Sequence, residues 1–326
     1  MPPASLALGV AAALGAGLLW GLVFVLPLLL PTYPPALLAF GRYLAFGLVT
    51  LPIAFAFRAD LRALGVGDWL EAVKLALVGN LIYYLALAAA IRLAGAPLPT
   101  LIIGTLPVVI AVVANLGTRS FSWSMLMPSL MLIAGGMAFV HADQWMRLEA
   151  GNSERYLSGA ALAWIAVAAW TWYPIRNARW LRSHPGRRPL AWATAQGLAT
   201  LPLAAIGYVL FMLFAGVTDP YAWLAPGESP VRFWFLMTIV GLGASWLGTW
   251  LWNVASQHTD TALTGQLIVF ETVAALVYVY FVYARWPSPA EAVGIALLIA
   301  GVVVGVRRLA RPYLRRPVAM RASDPE

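Results

Sequence analysis

The chain has 326 residues, 62% hydrophobic and 10% charged, with a mean hydropathy of +0.80 and a formal net charge of +8. A globular domain carries roughly a quarter charged residues, so this pool cannot clothe a water-facing surface, and lipid is the solvent it fits. The absence of cysteine excludes disulfides, thiolate metal sites and cysteine nucleophiles, while Lys and Arg placed in short connections between apolar runs read as membrane orientation and not as nucleic-acid binding.

A helix crossing about 30 Å of hydrocarbon needs roughly 20 apolar residues. In chain order such runs extend from Ala4 to Leu30, Pro35 to Phe57, Leu70 to Ile91, Pro97 to Gly117, Ser122 to Val140, Leu157 to Leu181, Leu190 to Ala215, Val231 to Ser256, Thr261 to Tyr283 and Pro289 to Val306. The first lacks a basic leader and is too long for the apolar core of a secretion signal, so it is read as a span. Backbone groups in lipid must be satisfied internally, which makes these runs helices. The expectation is an all-α membrane protein of ten transmembrane helices. With both termini placed in the cytoplasm, 15 of the 21 basic residues face inward and 5 outward; the remaining one, Arg42, lies inside a span.

The two halves resemble each other. Gly47-Leu48-Val49-Thr50-Leu51-Pro52 recurs as Gly197-Leu198-Ala199-Thr200-Leu201-Pro202, and the same offset of 150 sets Trp20 on Trp170. Leu132-Ile133-Ala134-Gly135 recurs as Leu298-Ile299-Ala300-Gly301, at an offset of 166. Five spans per repeat is an odd number, so the second half is expected inverted. The expected organisation is a first five-helix repeat over 1–150, a second over 151–309 and a basic cytoplasmic tail over 310–326. Inverted repeats around a midplane site are a recurring plan of secondary transporters.

Leu19-Trp20-Gly21, Arg42-Tyr43, the stretch Ala96 to Val108, Trp170 to Tyr173 and Phe270-Glu271-Thr272-Val273 together resemble the drug/metabolite transporter superfamily, and within it the EamA-type members. The resemblance covers the chain up to about Arg308. It implies export of a small metabolite, amino acid or drug-like compound across the cytoplasmic membrane, without a cofactor. One departure stands out: the family's Glu-Pro in span 9 reads Glu271-Thr272 here, and the equivalent place in span 4 reads Leu106-Pro107.

Two charges lie deep in the spans, Arg42 and Glu271. Ionisable groups in hydrocarbon are costly and face a cavity or a partner, so the two are read as a proton-coupling site, or else as a fixed ion pair or a hydrogen-bonded structural carboxylate that holds spans together. The candidate cavity residues are Trp20, Asn80, Tyr83, Tyr84, Thr105, Trp164, Trp170, Gln196, Ser245, Trp246 and Gln266, for which hydrogen bonding between packed helices is the competing role. Asn80 and Tyr84, four residues apart, are expected on one helix face, and they correspond in the repeat to Ser245 and Thr249. Gly17-x-x-x-Gly21 and Gly301-x-x-x-Gly305 permit close helix approach, within the chain or in a homodimer. The expected partners are a small-molecule substrate and membrane lipids, with proton coupling and no nucleic acid. A lipid flippase or passive channel of the same fold is the alternative. An intramembrane enzyme or a metal site finds no support, since His141, His184 and His258 fall at span ends or in loops without ligand spacing.

Overall fold

A computed structural model describes residues 3–118, 123–146, 153–259, 264 and 267–315, and every regular element among them is helical. The main helices are α1 (Pro3–Gly21), α2 (Pro35–Ala56), α3 (Val66–Ala94), α4 (Pro97–Ile103), α5 (Leu106–Thr118) and α6 (Trp123–Met146). They continue with α7 (Ser153–Ser183), α8 (Pro189–Phe214), α9 (Pro230–His258), α10 (Val269–Val282) and α11 (Pro289–Arg315). Five stretches are long and apolar enough to cross a bilayer: Leu6–Leu29, Pro35–Ala56, Val66–Ala94, Pro189–Phe214 and Pro230–His258. Proline opens α2, α4, α8, α9 and α11, where its missing N–H costs nothing.

Two expected spans are discontinuous. The run from Pro97 to Gly117 breaks at Gly104-Thr105, because Pro107 offers no N–H to continue the ladder. Thr105 Oγ1 turns back instead to donate to the Ile102 carbonyl at 2.7 Å. The run from Thr261 to Tyr283 also breaks, at Ile268, so Glu271 sits in the first turn of α10 and not near the middle of a helix. A carboxylate there meets the positive end of the helix dipole. Two other helices carry a wider turn, over Ala76–Ile82 in α3 and Gly241–Leu247 in α9, where the backbone bonds reach five residues back instead of four.

The helices pair α2 with α8, α6 with α11, α3 with α7, and α1 with both α9 and α10. Small residues set these contacts. A Cβ on Gly47 would lie 2.5 Å from Leu201 Cβ, and one on Gly197 would lie 2.4 Å from Thr50 Cγ2, so the two copies of the Gly-Leu-x-Thr-Leu-Pro motif pack on each other. The copies of Leu-Ile-Ala-Gly also meet, since Gly301 lies against Leu132 and Ile133. Gly17 and Gly21 bring α1 onto the backbone of α10 at Glu271 and Ala275. That spacing therefore serves packing within the chain.

Candidate functional site

The buried centre gathers residues from α1, α2, α3, α7, α9 and α10. A small cavity there is lined by Trp20, Arg42, Asn80, Tyr83, Trp170, Ser245 and Glu271, together with Val23, Tyr43, Gly79, Ala244 and Thr249. Seven expected site residues thus meet at one point. The free space is about 10 Å³, room for roughly one water molecule, so a cargo enters only if the surrounding helices part.

Arg42 is 4% exposed. Its Nε donates to Ser245 Oγ at 3.0 Å, and its Cζ lies 4.8 Å and 4.5 Å from the ring centres of Tyr43 and Tyr84. Aromatic faces stabilise a desolvated guanidinium by about 2 kcal/mol or more, and here they hold it in place without a carboxylate. No ion pair within 4 Å joins Arg42 to Glu271 among the described residues. Four buried polar atoms around the cavity lack a hydrogen-bond partner: Arg42 Nη1, Tyr83 Oη, Trp170 Nε1 and Glu271 Oε2. Each such orphan costs about 1–3 kcal/mol. These three donors and one carboxylate oxygen belong to residues that line the same small cavity.

Aromatic rings build the wall. Trp170 stacks between Tyr83 and Tyr173 at 4.9 Å and 4.7 Å and meets Trp20 edge-on at 5.0 Å. Tyr173 is held by its hydroxyl, which donates to Gln196 Oε1 at 2.8 Å, and it rests flat on Gly79. A Cβ at Gly79 would lie 2.1 Å from the Tyr173 ring. Gly79→Ala is therefore expected to displace Tyr173 and to destabilise the protein by about 1–3 kcal/mol. A melting curve of purified Gly79→Ala that overlays the wild-type curve would show that the ring does not rest there.

The other expected residues fall elsewhere. Tyr84 is fully buried beneath Arg42, its hydroxyl on the Val23 carbonyl at 3.2 Å, whereas Asn80 reaches Thr200 in α8 at 2.9 Å. Both side chains turn to the same buried region, since Asn80 lines the cavity and Tyr84 lies against Arg42, which lines it too. Thr105 is buried at the break between α4 and α5, bonded to its own turn. Trp164 is 46% exposed on the outside of α7. Six residues before Trp170 amount to about 240° around the helix, which turns Trp164 away from the centre. Trp246 is half-buried and reaches Thr194 at 3.3 Å. Gln266 lies outside the described residues.

Gln196 belongs to a buried chain of amides next to the cavity. It donates to Asn177 Oδ1, which also accepts from Trp192 Nε1, while Asn177 Nδ2 donates to Asn253 Oδ1 at 2.8 Å. The sequence reading passed over Asn177; its signal was a lone amide between Arg176 and Ala178 on a tryptophan-rich helix. Beyond this chain, α3 and α7 are clamped by a bidentate Arg176–Glu71 pair at 2.7 Å and 2.6 Å and by Trp180 Nε1 on Asp68 at 2.8 Å. At the opposite end Tyr33 stacks on Phe233 at 5.0 Å, donates to the Pro226 carbonyl and accepts from Ser229 N–H. Arg92 closes that end on the carbonyls of Pro31 and Tyr33. Between α10 and α11 the Glu291 carboxylate beside Arg285 raises the guanidinium above its ordinary value. These contacts tie the helices together on either side of the polar centre.

Bilayer-length helices around a buried polar centre mark an integral membrane protein. Residues 7–141 match the profile of the EamA-like transporter family. Over 304 residues the chain is 47% identical to the inner membrane protein YtfF of Escherichia coli (strain K12), an alignment that covers 92% of this chain and 95% of that protein. The chain belongs to the EamA-like transporter family, and it is an integral protein of the cytoplasmic membrane. A solved crystal structure, 22% identical, matches 93% of this chain and 98% of its own with a TM-score of 0.62; at that identity the likeness concerns the fold.

Proposed function

We propose that this protein is a secondary transporter that exports a small polar metabolite, amino acid or drug-like compound by alternating access, coupled to protons through Glu271. The observation that carries the reading is the set of four unpaired polar atoms at one buried point, two from the first half of the chain (Arg42, Tyr83) and two from the second (Trp170, Glu271). The architecture proposed for it is ten spans in two inverted five-helix repeats, over 1–150 and 151–309, with both termini and the tail in the cytoplasm. The broken fourth span is α4 with α5, and its counterpart is the span that ends in α10.

Three features support the repeat. Equivalent residues meet their own copies: Trp20 with Trp170, and each motif pair across α2–α8 and α6–α11. A residue touches its symmetry mate only near a twofold axis. The wide turns Ala76–Ile82 and Gly241–Leu247 are related by the same offset of 165 that relates Asn80 to Ser245. Packing of α3 on α7 is matched by packing of α9 on α1. Broken spans beside a central site are a common feature of transporters built this way.

The test is counterflow in proteoliposomes under an imposed pH gradient, across amino acids, organic cations and organic acids. Saturable flux that follows the gradient, and that falls about tenfold or more in Arg42→Gln, is the expected result. Flux through the wild type that ignores the gradient would end the proton-coupled reading. Transfer of labelled phospholipid without flux of any soluble compound would replace export with lipid flipping.

A further inference from the structure

We infer that Trp20 and Trp170 are alternate latches, each closing on the wide turn of the opposite half in one of the two facing states of the transporter. The inference rests on the alternating-access reading above.

In α9 the Gly248 N–H bonds back to the Gly243 carbonyl and passes over Ala244. The Ala244 carbonyl, released from the ladder, accepts the Trp20 indole N–H at 2.8 Å. In α3 the register is the same: Tyr83 N–H bonds to the carbonyls of Val78 and Asn80 and passes over Gly79. Gly79 corresponds to Ala244, and Trp170 to Trp20. Yet the Trp170 indole N–H is buried and has no partner, and Tyr173 lies over Gly79 instead. The two halves thus show one device in two conditions, closed on α1–α9 and open on α7–α3.

Inverted halves exchange conformations when such a transporter turns from one face of the membrane to the other. After that exchange α7 would slide on α3 until the Trp170 N–H reached the Gly79 carbonyl, and Trp20 would let go of Ala244. A buried indole N–H is costly without a partner, so each state carries one satisfied and one unsatisfied latch. The unsatisfied one in each state favours the passage to the other.

The natural absence of cysteine makes the test direct. Thr249→Cys places one thiol on the cavity wall, and a small membrane-impermeant thiol reagent is applied to right-side-out and to inside-out vesicles. The ratio of the two labelling rates reports which face is open. Trp20→Phe keeps the ring packing and removes the N–H, so it is expected to move the ratio roughly threefold to tenfold one way. Trp170→Phe moves it by a similar factor the other way, and the double variant returns it towards the starting value. Monodisperse elution establishes that each variant is folded, and Met at the same position, which also lacks a donor, replaces any Phe variant that fails this check. Shifts in the same direction, or none, would overturn the latch while leaving alternating access intact. Labelling from one face alone in every variant would overturn both.

Discussion

Glu271→Gln is expected to lose pH-gradient-driven flux by more than about tenfold while the protein folds as before. Glu271 is 1% exposed, its Oε2 lacks a partner, and α1 approaches its backbone closely through Gly17. A glutamine has nearly the same shape, so the α1–α10 contact persists. Removing a charge from a buried position is neutral or stabilising when no partner is orphaned by the change, and Arg42 here rests on Ser245, Tyr43 and Tyr84. What the variant lacks is a proton that can come and go. Glu271→Asp keeps that proton one methylene further from the cavity and is expected to retain gradient dependence at a reduced rate. The measurement is initial flux against the imposed gradient, with a melting curve of the same preparation. If Glu271→Gln follows the gradient as the wild type does, the carboxylate is structural and coupling resides elsewhere.

Gly197→Leu is expected to destabilise the fold by about 3 kcal/mol, enough to abolish most monodisperse protein. The approach of α2 to α8 leaves no room at either motif glycine: a Cβ on Gly197 would stand 2.4 Å from Thr50 Cγ2 and 3.0 Å from Phe46 Cε2, and one on Gly47 would stand 2.9 Å from the Leu201 Cα. The Thr50 and Phe46 side chains are themselves buried and have nowhere to turn, and at Gly47 the backbone cannot rotate away at all, so the helices must separate. Without a hydrophobic driving force between helices in lipid, lost van der Waals contact is not recovered elsewhere. Gly47→Leu should behave alike, and because the two glycines share one contact surface their effects will fall short of additive. Gly67→Leu is the control: nothing lies within 4 Å of a Cβ there, and its melting temperature should match the wild type. A Gly197→Leu protein that melts with the wild type would mean that α2 and α8 do not meet at these motifs.

Much of the molecule can be read from residue order. Hydrophobic length locates helices because lipid imposes one rule on every residue of a span. Arg42 and Glu271 stand out for the same reason, since charge in an apolar run needs a cause. The proposed repeat rests on three short matches, and at two of them close helix packing restricts the choice of residue. Trp164 shows the limit. Composition marks it as aromatic and mid-span, but its azimuth on α7 depends on which face packs inward, and a helix apolar on all sides carries no such mark. The break before Glu271 is hidden for a similar reason, since hydropathy does not distinguish a continuous helix from two collinear pieces. Asn177 and Gln196 read as isolated polar residues until the fold joins them into one chain of amides.

The wide turns in α3 and α9 have a consequence for how these helices meet their surroundings. Each accommodates one residue more than an α-helix would, and one residue is about 100° of rotation. The far half of the helix is therefore out of phase with the near half. In α3, Leu77 and Ile82 face outward on either side of Gly79 and Asn80, which face the cavity. A ruled stripe drawn along the helix would have assigned them otherwise. The lipid-facing strip is thus broken into two arcs joined at the site, and the polar centre lies where the arcs change over. Such a helix tolerates substitution better than deletion. Loss of one residue between Ala76 and Ile82 would restore a regular period and turn everything from Tyr83 to Ala94 by about a quarter of a circle, carrying Tyr83 and Tyr84 away from Arg42.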